Sequence, residues 1–153
     1  MATYEELQKQ KTEIEEKMRE AYKKEQAEGE EHFKEAFPIL EPYLYFYDWE
    51  KKEDLDPKDY NVRGVPAEIM QKLIDQNLME ADMHAANSKF TMADLIKLGK
   101  EYNGFGEGRA RPNDIYFDGM VFNISEEEAK KLKKKLHPDE FDKQGKGWRF
   151  WWD

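Results

Sequence analysis

The chain predicts an α+β fold: a long N-terminal helix, two middle helices and a C-terminal ββαβ unit with a small, antiparallel-rich sheet. Three observations predict it. Residues 3–36 hold no proline and repeat Glu and Lys at helical spacing. IYFDGMVFNI, residues 115–124, sets Asp-Gly between two apolar runs, the pattern of a tight hairpin turn. The closing GWRFWWD alternates Trp148, Phe150 and Trp152 against Arg149, Trp151 and Asp153, as a strand does.

The first element is a helix over 3–36. Thr3 and Glu6 form a capping box, each side chain satisfying a backbone donor near the other. Gly29 is its weak point, and Pro38 comes only after its end. Its apolar stripe is thin: Tyr4, Leu7, Ile14, Met18 and Tyr22, then Phe33 and Phe37. The 4, 7, 14, 18 spacing suits a heptad seam, interrupted by Lys11 and Glu25. Five Glu-to-Lys/Arg pairs four residues apart (Glu5/Lys9, Glu13/Lys17, Glu15/Arg19, Glu20/Lys24, Glu30/Lys34) support a largely solvated helix, each adding about 0.2–0.5 kcal/mol. This is an arm, seated by one narrow edge on its own body or on a second copy. The implied division is a helical arm over 1–37 and one compact domain over 38–153.

The segment 38–60 follows, rich in rings and acids. Alternation puts Tyr43, Tyr45, Tyr47 and Trp49 on one side of a strand and Leu44, Phe46 and Asp48 on the other. A short helix after Pro42, with Tyr43, Phe46, Tyr47 and Glu50 on one face, is the alternative. Residues 50–64 read as a polar connection. A helix over 66–79 begins with Pro66 in its first turn and buries Ile69, Met70, Leu73 and Ile74. EADMHAANSK is a loop. A second middle helix, 91–103, is capped by Thr91 and turns Leu95, Ile96, Leu98 and Tyr102 inward. GFGEGRARPND, 104–114, reads as a flexible loop. In the hairpin register Ile115, Phe117, Met120, Phe122 and Ile124 share one face, with Tyr116, Val121 and Asn123 on the other. Ser125 with Glu128 is a second capping box, opening a helix over 126–136 with the stripe Ala129, Leu132, Leu136. After the turn DKQGKG comes the closing strand. Trp151 falls on its outer face, to be covered by the arm or the aromatic strand, or left exposed.

Composition bounds the function. Of 153 residues, 39% are apolar and 39% charged, so the core is small for the length. Aromatics make up 14%, so that core is built from rings. The absence of cysteine excludes disulfides and thiolate metal sites. With neither a secretory leader nor about 20 consecutive apolar residues, the chain reads as a soluble, cytoplasmic protein without a membrane span. Residues 1–85 carry 12 Lys/Arg against 22 Asp/Glu, whereas 86–153 carry 13 against 12. Such an acidic chain repels phosphates and disfavours direct nucleic-acid binding, but it suits a basic partner.

Candidate chemistry is sparse. Glu80, Asp82 and His84 are the one metal-like grouping, and their spacing puts them on one side of a loop but not of a helix. His32 falls on the arm's surface, and His137 on a helix end. Ser88 and Ser125 are the only serines, with no nucleophile elbow around either. No carboxylate sits in an apolar setting that would raise its pKa. GFGEG follows a helix and leads to a strand, the reverse of a phosphate loop, though Arg109 and Arg111 on it are free for a partner. KKLKKK, 130–135, follows EEE and orders its charges along the helix dipole. The helix–helix–hairpin order is loosely like a winged helix, without the basic residues that DNA reading needs.

The functional reading is therefore a non-enzymatic, acidic interaction module with no cofactor and no metal. Its partner is a protein with a basic surface, such as a nucleic-acid-handling enzyme, and a mobile-element-type inhibitor is one form of it. The binding residues are Tyr43, Tyr45, Tyr47, Trp49 and Trp151, with Asp48, Glu50, Glu53 and Asp54 as the acidic rim. A homo-oligomer built through residues 3–36 is the second reading, and a carboxylate- or metal-dependent enzyme the third.

Overall fold

The computed structural model describes residues 1–112 and 114–153, the side chain of His32 apart. The surface placement expected for His32 thus lies outside the described residues, as does Asn113. The architecture is α+β, with a long N-terminal helix, further helices and an antiparallel sheet.

Helix α1 runs Tyr4–Leu40, four residues beyond the expected end, and the Thr3–Glu6 capping box is present. Pro38 is accommodated inside its last turn, where its missing donor leaves only the Lys34 carbonyl without an intrahelical partner. Residues 1–28 are exposed throughout. The helix touches the body only from Gly29 onward, through buried Phe33, Ala36 and Leu40. None of the five expected ion pairs forms among the described residues. Lys11 meets Glu15, Lys34 meets Glu31, and Glu30 reaches across to Lys58 instead. Exposed pairs of this kind are nearly isoenergetic with solvated charges, so sequence spacing does not fix the choice.

The expected aromatic strand over 43–49 is largely absent. A single 3-10 turn, Glu41–Tyr43, leads into a two-residue strand, β1 (Leu44–Tyr45). Strand β2 (Tyr60–Pro66) lies in what was expected to be a polar connection. Tyr60 and Val62 face inward, Asn61 and Arg63 outward, and Gly64 at φ 74° carries an irregularity before Val65. Helix α2 (Ala67–Asp75) is shorter than expected, with Pro66 as its cap rather than in its first turn. Asn77 at φ 58° then turns the chain, so Leu78 and Met79 are buried without being helical. Helix α3 (Met92–Glu101) has Thr91 as its cap, with Asp94 completing a capping box.

The largest departure is at 104–114. The expected flexible loop is strand β3, Gly104–Arg111, in the middle of the sheet. Its inward positions are Gly104, Gly106, Gly108 and Ala110; rings of the next strand lie against Gly104 and Gly106, and its backbone lies against Gly108. A Cβ at Gly104 would stand 2.7 Å from the Phe122 ring, and one at Gly106 2.7 Å from the Phe117 ring. Small residues there are a packing requirement, not a sign of mobility.

Strand β4 (Asp114–Phe122) passes straight through Asp118-Gly119, so the expected turn is not one. Glu107 pairs with Gly119 and Gly108 with Phe117, leaving Asp118 as the extra residue of a bulge. The face assignment survives, with Ile115, Phe117, Met120 and Phe122 all buried. Helix α4 (Glu126–Leu136) has the expected bounds, and Ala129, Leu132 and Leu136 are buried. Ser125 caps it, but Glu128 bonds the Ser125 hydroxyl rather than its backbone, so the box is incomplete.

The segment expected as a turn contributes strand β5 (Glu140–Gln144), which pairs with the closing strand β6 (Gly147–Trp151). The two-residue turn between them has Gly145 at φ 57°. The unit is thus ββαββ. The sheet has six strands in the order β1-β2-β3-β4-β6-β5, every pair antiparallel. Its inner face packs on α2, α3, α4 and the end of α1. The tail is core: Phe150 and Trp152 are buried, and the Trp152 indole N–H donates to the Leu136 carbonyl at 3.0 Å. Burying such rings contributes up to about 3 kcal/mol each. No described helix is long and apolar enough to cross a membrane.

Candidate functional site

The inner face of the sheet is filled, so the site lies on the outer face and at the β1 edge. Alternation sends Tyr45, Arg63, Glu107, Arg109, Tyr116, Arg149 and Trp151 to that outer face. Asp118 joins them because the bulge inserts one residue and lets both it and Gly119 face outward. Together with Tyr47 and Glu140 they line an open groove of about 340 Å³.

Charge holds the groove together. Glu107 is its hub, with a side chain only 12% exposed. It accepts from Arg149 Nη2 at 2.7 Å and lies 2.9 Å from Arg63 Nε. Arg149 also donates to Glu140 at 2.8 Å. Burial works against the Arg149 charge, but the hydrogen bonds to Glu107 and Glu140 outweigh it and hold the guanidinium protonated. Arg109 donates two bonds to Asp59, at 2.6 and 2.7 Å, which hold the Asp59 carboxyl below its ordinary value. Arg111 is bound to Asp114 at 2.6 Å. Arg109 and Arg111, expected to be free for a partner, are therefore both committed within the chain.

Asp118 overturns the expectation that no carboxylate has a raised pKa. Burial pushes it up to about 6, and the neighbouring Glu107 charge adds to the effect. The neighbouring backbone N–H, the Trp151 indole and the Arg149 charge offset part of that rise. Burial also raises the Tyr116 hydroxyl on the same face.

The aromatic residues chosen from the sequence divide. Tyr43 leaves the group and packs against the core. Tyr45 lies under Arg63, whose guanidinium carbon is 3.8 Å above the ring centre. Tyr45 and Tyr47 meet edge-on at 5.2 Å. Tyr47 and Trp49 stack face to face at 4.7 Å, with an interplanar angle of 2°. Trp49 is 79% exposed, although it is among the largest apolar side chains in the protein. Trp151 is covered by neither the arm nor an aromatic strand. It is half-buried in the groove beside Arg149, sharing that groove with Tyr45 and Tyr47.

A second cavity, of about 270 Å³, opens on the other side of Tyr45. Trp49, Glu50, Asp54, Asp56 and Asp59 line it, as does Tyr60, whose buried hydroxyl has no partner among the described residues. Glu50 anchors the turn by accepting from the Tyr47 backbone at 3.2 Å. Asp48, Glu53 and Asp54 are exposed and form no ion pair among the described residues. Residues 48–56 carry five acids and two lysines.

The other candidate groupings do not assemble. Glu80, Asp82 and His84 form no metal-holding cluster among the described residues, and the His84 Nδ1–H donates to the Ser88 carbonyl at 2.9 Å. Lys130 and Lys131 on α4 pair with Glu126 and Glu127, as on a solvated helix. Sequence reasoning missed Arg63, Glu107, Asp118 and Arg149. The signal for one of them was present: Glu107, like Arg109, alternates with small residues, as on a strand. Comparison with protein-family models, curated proteins and solved structures finds no match to this chain.

Proposed function

We propose that the protein is a non-enzymatic interaction module that binds a basic protein surface at its β1 edge. The exposed Tyr47–Trp49 stack carries the reading. A large indole held flat against a tyrosine, 79% exposed and rimmed by acids, is a pre-ordered hot spot with little side-chain entropy left to lose. The adjoining cavity supports it. A partner's Arg or Lys side chain fits between Trp49 and the carboxylates of Asp54 and Asp56. The finer form of the reading is an inhibitor that covers the basic surface of a nucleic-acid-handling protein.

The test is fluorescence anisotropy with a labelled arginine-rich peptide, and with a glutamate-rich peptide of equal length as control. The basic peptide binds in a salt-sensitive way and the acidic one does not. Trp49→Ala weakens that binding by about tenfold or more, the loss expected of a hot spot. Unchanged binding in Trp49→Ala removes the site assignment, and equal binding of both peptides removes the charge argument.

One observation favours a second reading, an acid–base enzyme. Asp118, with a pKa of about 6 in an open groove beside Arg149 and Tyr116, is largely ionised at neutrality yet close enough to it to take up and release a proton, as a general base does. A hydrolytic activity lost in Asp118→Asn and kept in Trp49→Ala would establish it.

A further inference from the structure

Residues 1–28 of the chain are exposed throughout, yet they are not uniformly polar. Tyr4, Leu7, Ile14 and Met18 are each between 53% and 76% exposed and fall along one line of the helix. The steps between positions 4, 7, 11, 14, 18 and 21 alternate three and four, as the a and d positions of a heptad pattern do. Lys11 is the only charged residue among these six positions, and Glu25 ends the line. An apolar seam this long on a projecting helix has no role in the monomer and marks an interaction surface.

We propose that a second copy of this chain covers the seam, with the two helices antiparallel and Lys11 of each opposite Ile14 of the other. Three features select this arrangement. The first is side-chain size. An antiparallel pair faces a positions with d positions, which sets Tyr4 against Ala21 and Leu7 against Met18, a large residue meeting a small one and two intermediate ones meeting. A parallel pair sets each residue against itself, so Lys11 meets Lys11 in the middle of the seam. The second is flanking charge. The antiparallel register brings Gln8 beside Glu15 and Gln10 beside Lys17, so no like charges meet at these flanking positions, and the two Lys11 fall in adjacent layers rather than the same one. The third is charge on the bodies. Residues 1–28 carry eight acids and six bases, which leaves the remainder at −7 of the chain's −9. A parallel pair holds two such bodies side by side, whereas an antiparallel pair puts them at opposite ends, beyond the roughly 10 Å reach of unscreened charge. The seam spans about two and a half heptads, so the association is concentration-dependent rather than permanent.

The experiment is sedimentation of the full chain over a wide concentration range, followed by spin-label distances in the dimer. The mass rises from 18.3 kDa toward twice that value as concentration increases. Met18→Glu, which spoils two layers at once, keeps the protein monomeric. Its circular dichroism is unchanged because position 18 is exposed in the monomer. Lys11→Leu tightens the dimer by at least about tenfold, since it replaces two charged layers with apolar ones. The absence of cysteine makes Ala2→Cys a unique labelling site. In the antiparallel register residue 2 lies across from residue 23, so the two labelled backbones are about 30 Å apart. A parallel pair leaves them roughly 10 Å apart. Three results each overturn the proposal: a monomer at every concentration in both parent and Lys11→Leu, a dimer unaffected by Met18→Glu, or the short label distance.

Discussion

Replacing Asp118 by Asn tests the electrostatics of the groove most directly. Asn keeps the shape of the side chain and an oxygen toward the Trp151 indole, and removes only the charge. Burial and the Glu107 charge raise the Asp118 pKa from 3.8 to about 6 in the folded protein. The folded state thus holds the proton more tightly than the unfolded chain does. The stability this confers is full below about pH 4, the unfolded pKa, and is lost as pH rises through about 6. At neutral pH the folded parent therefore carries an unfavourable charge that the variant lacks. Two pKa units at about 1.36 kcal/mol each set the gain at roughly 2–3 kcal/mol. For a chain of this size that is a rise in melting temperature of roughly 5–10 °C. The assay is urea unfolding of both proteins from pH 3.5 to 8. The variant is expected to be the more stable above pH 6, and its advantage to shrink between pH 6 and 4. A variant no more stable than the parent at pH 7.5, or one whose advantage is the same at every pH, refutes the assignment of a half-buried carboxylate with a raised pKa.

Glu107→Gln leaves the Arg63 and Arg149 guanidiniums short of a counter-charge. Urea unfolding at neutral pH should show a loss of about 2–4 kcal/mol. The same change removes one of the two causes that raise Asp118, so the Asp118 carboxyl, followed by carbon NMR, titrates below 6 in the variant. Gly106→Ala places a methyl group 2.7 Å from the Phe117 ring and 2.8 Å from the Met70 sulfur. It should cost about 1–3 kcal/mol in the same assay, the range for overpacking. If β3 were instead a mobile glycine loop, the substitution would be neutral or slightly stabilising, because it would only stiffen the unfolded chain.

What was legible in the sequence follows the range of the interactions involved. The caps Thr3, Thr91 and Ser125 and the stripe Ala129, Leu132, Leu136 were readable because each depends on residues three or four apart. The inward ring series of the tail was readable for the same reason, its period being two. Strand β3 was not, because its glycines are explained by Phe117 and Phe122, which lie more than ten residues away in sequence. Strand β2 read as a polar connection and the end of β5 as a turn because their outward residues are polar and their inward ones few. The Tyr47–Trp49 pair was readable as a cluster. Tyr43 was expected beside it, and the turn before β1 rotates it into the core instead.

Asp118-Gly119 shows why the groove was harder to read than the fold. A two-residue turn and a one-residue bulge both break the alternation of a strand, and both favour Asp and Gly. Either device puts Phe117 and Met120 on the same face, so the core residues come out the same under both. The consequences for Asp118 are opposite. At a hairpin tip its carboxylate is solvated and titrates like any other. In a bulge at the middle of β4 it is packed beside Trp151 and next to Glu107, and its proton is held to about pH 6. The choice between the two is made by β3, whose small inward residues leave room for the Phe117 and Phe122 rings as β4 continues past residue 119. The glycines of the stretch taken for a loop thus determine both where Asp118 lies and how it titrates.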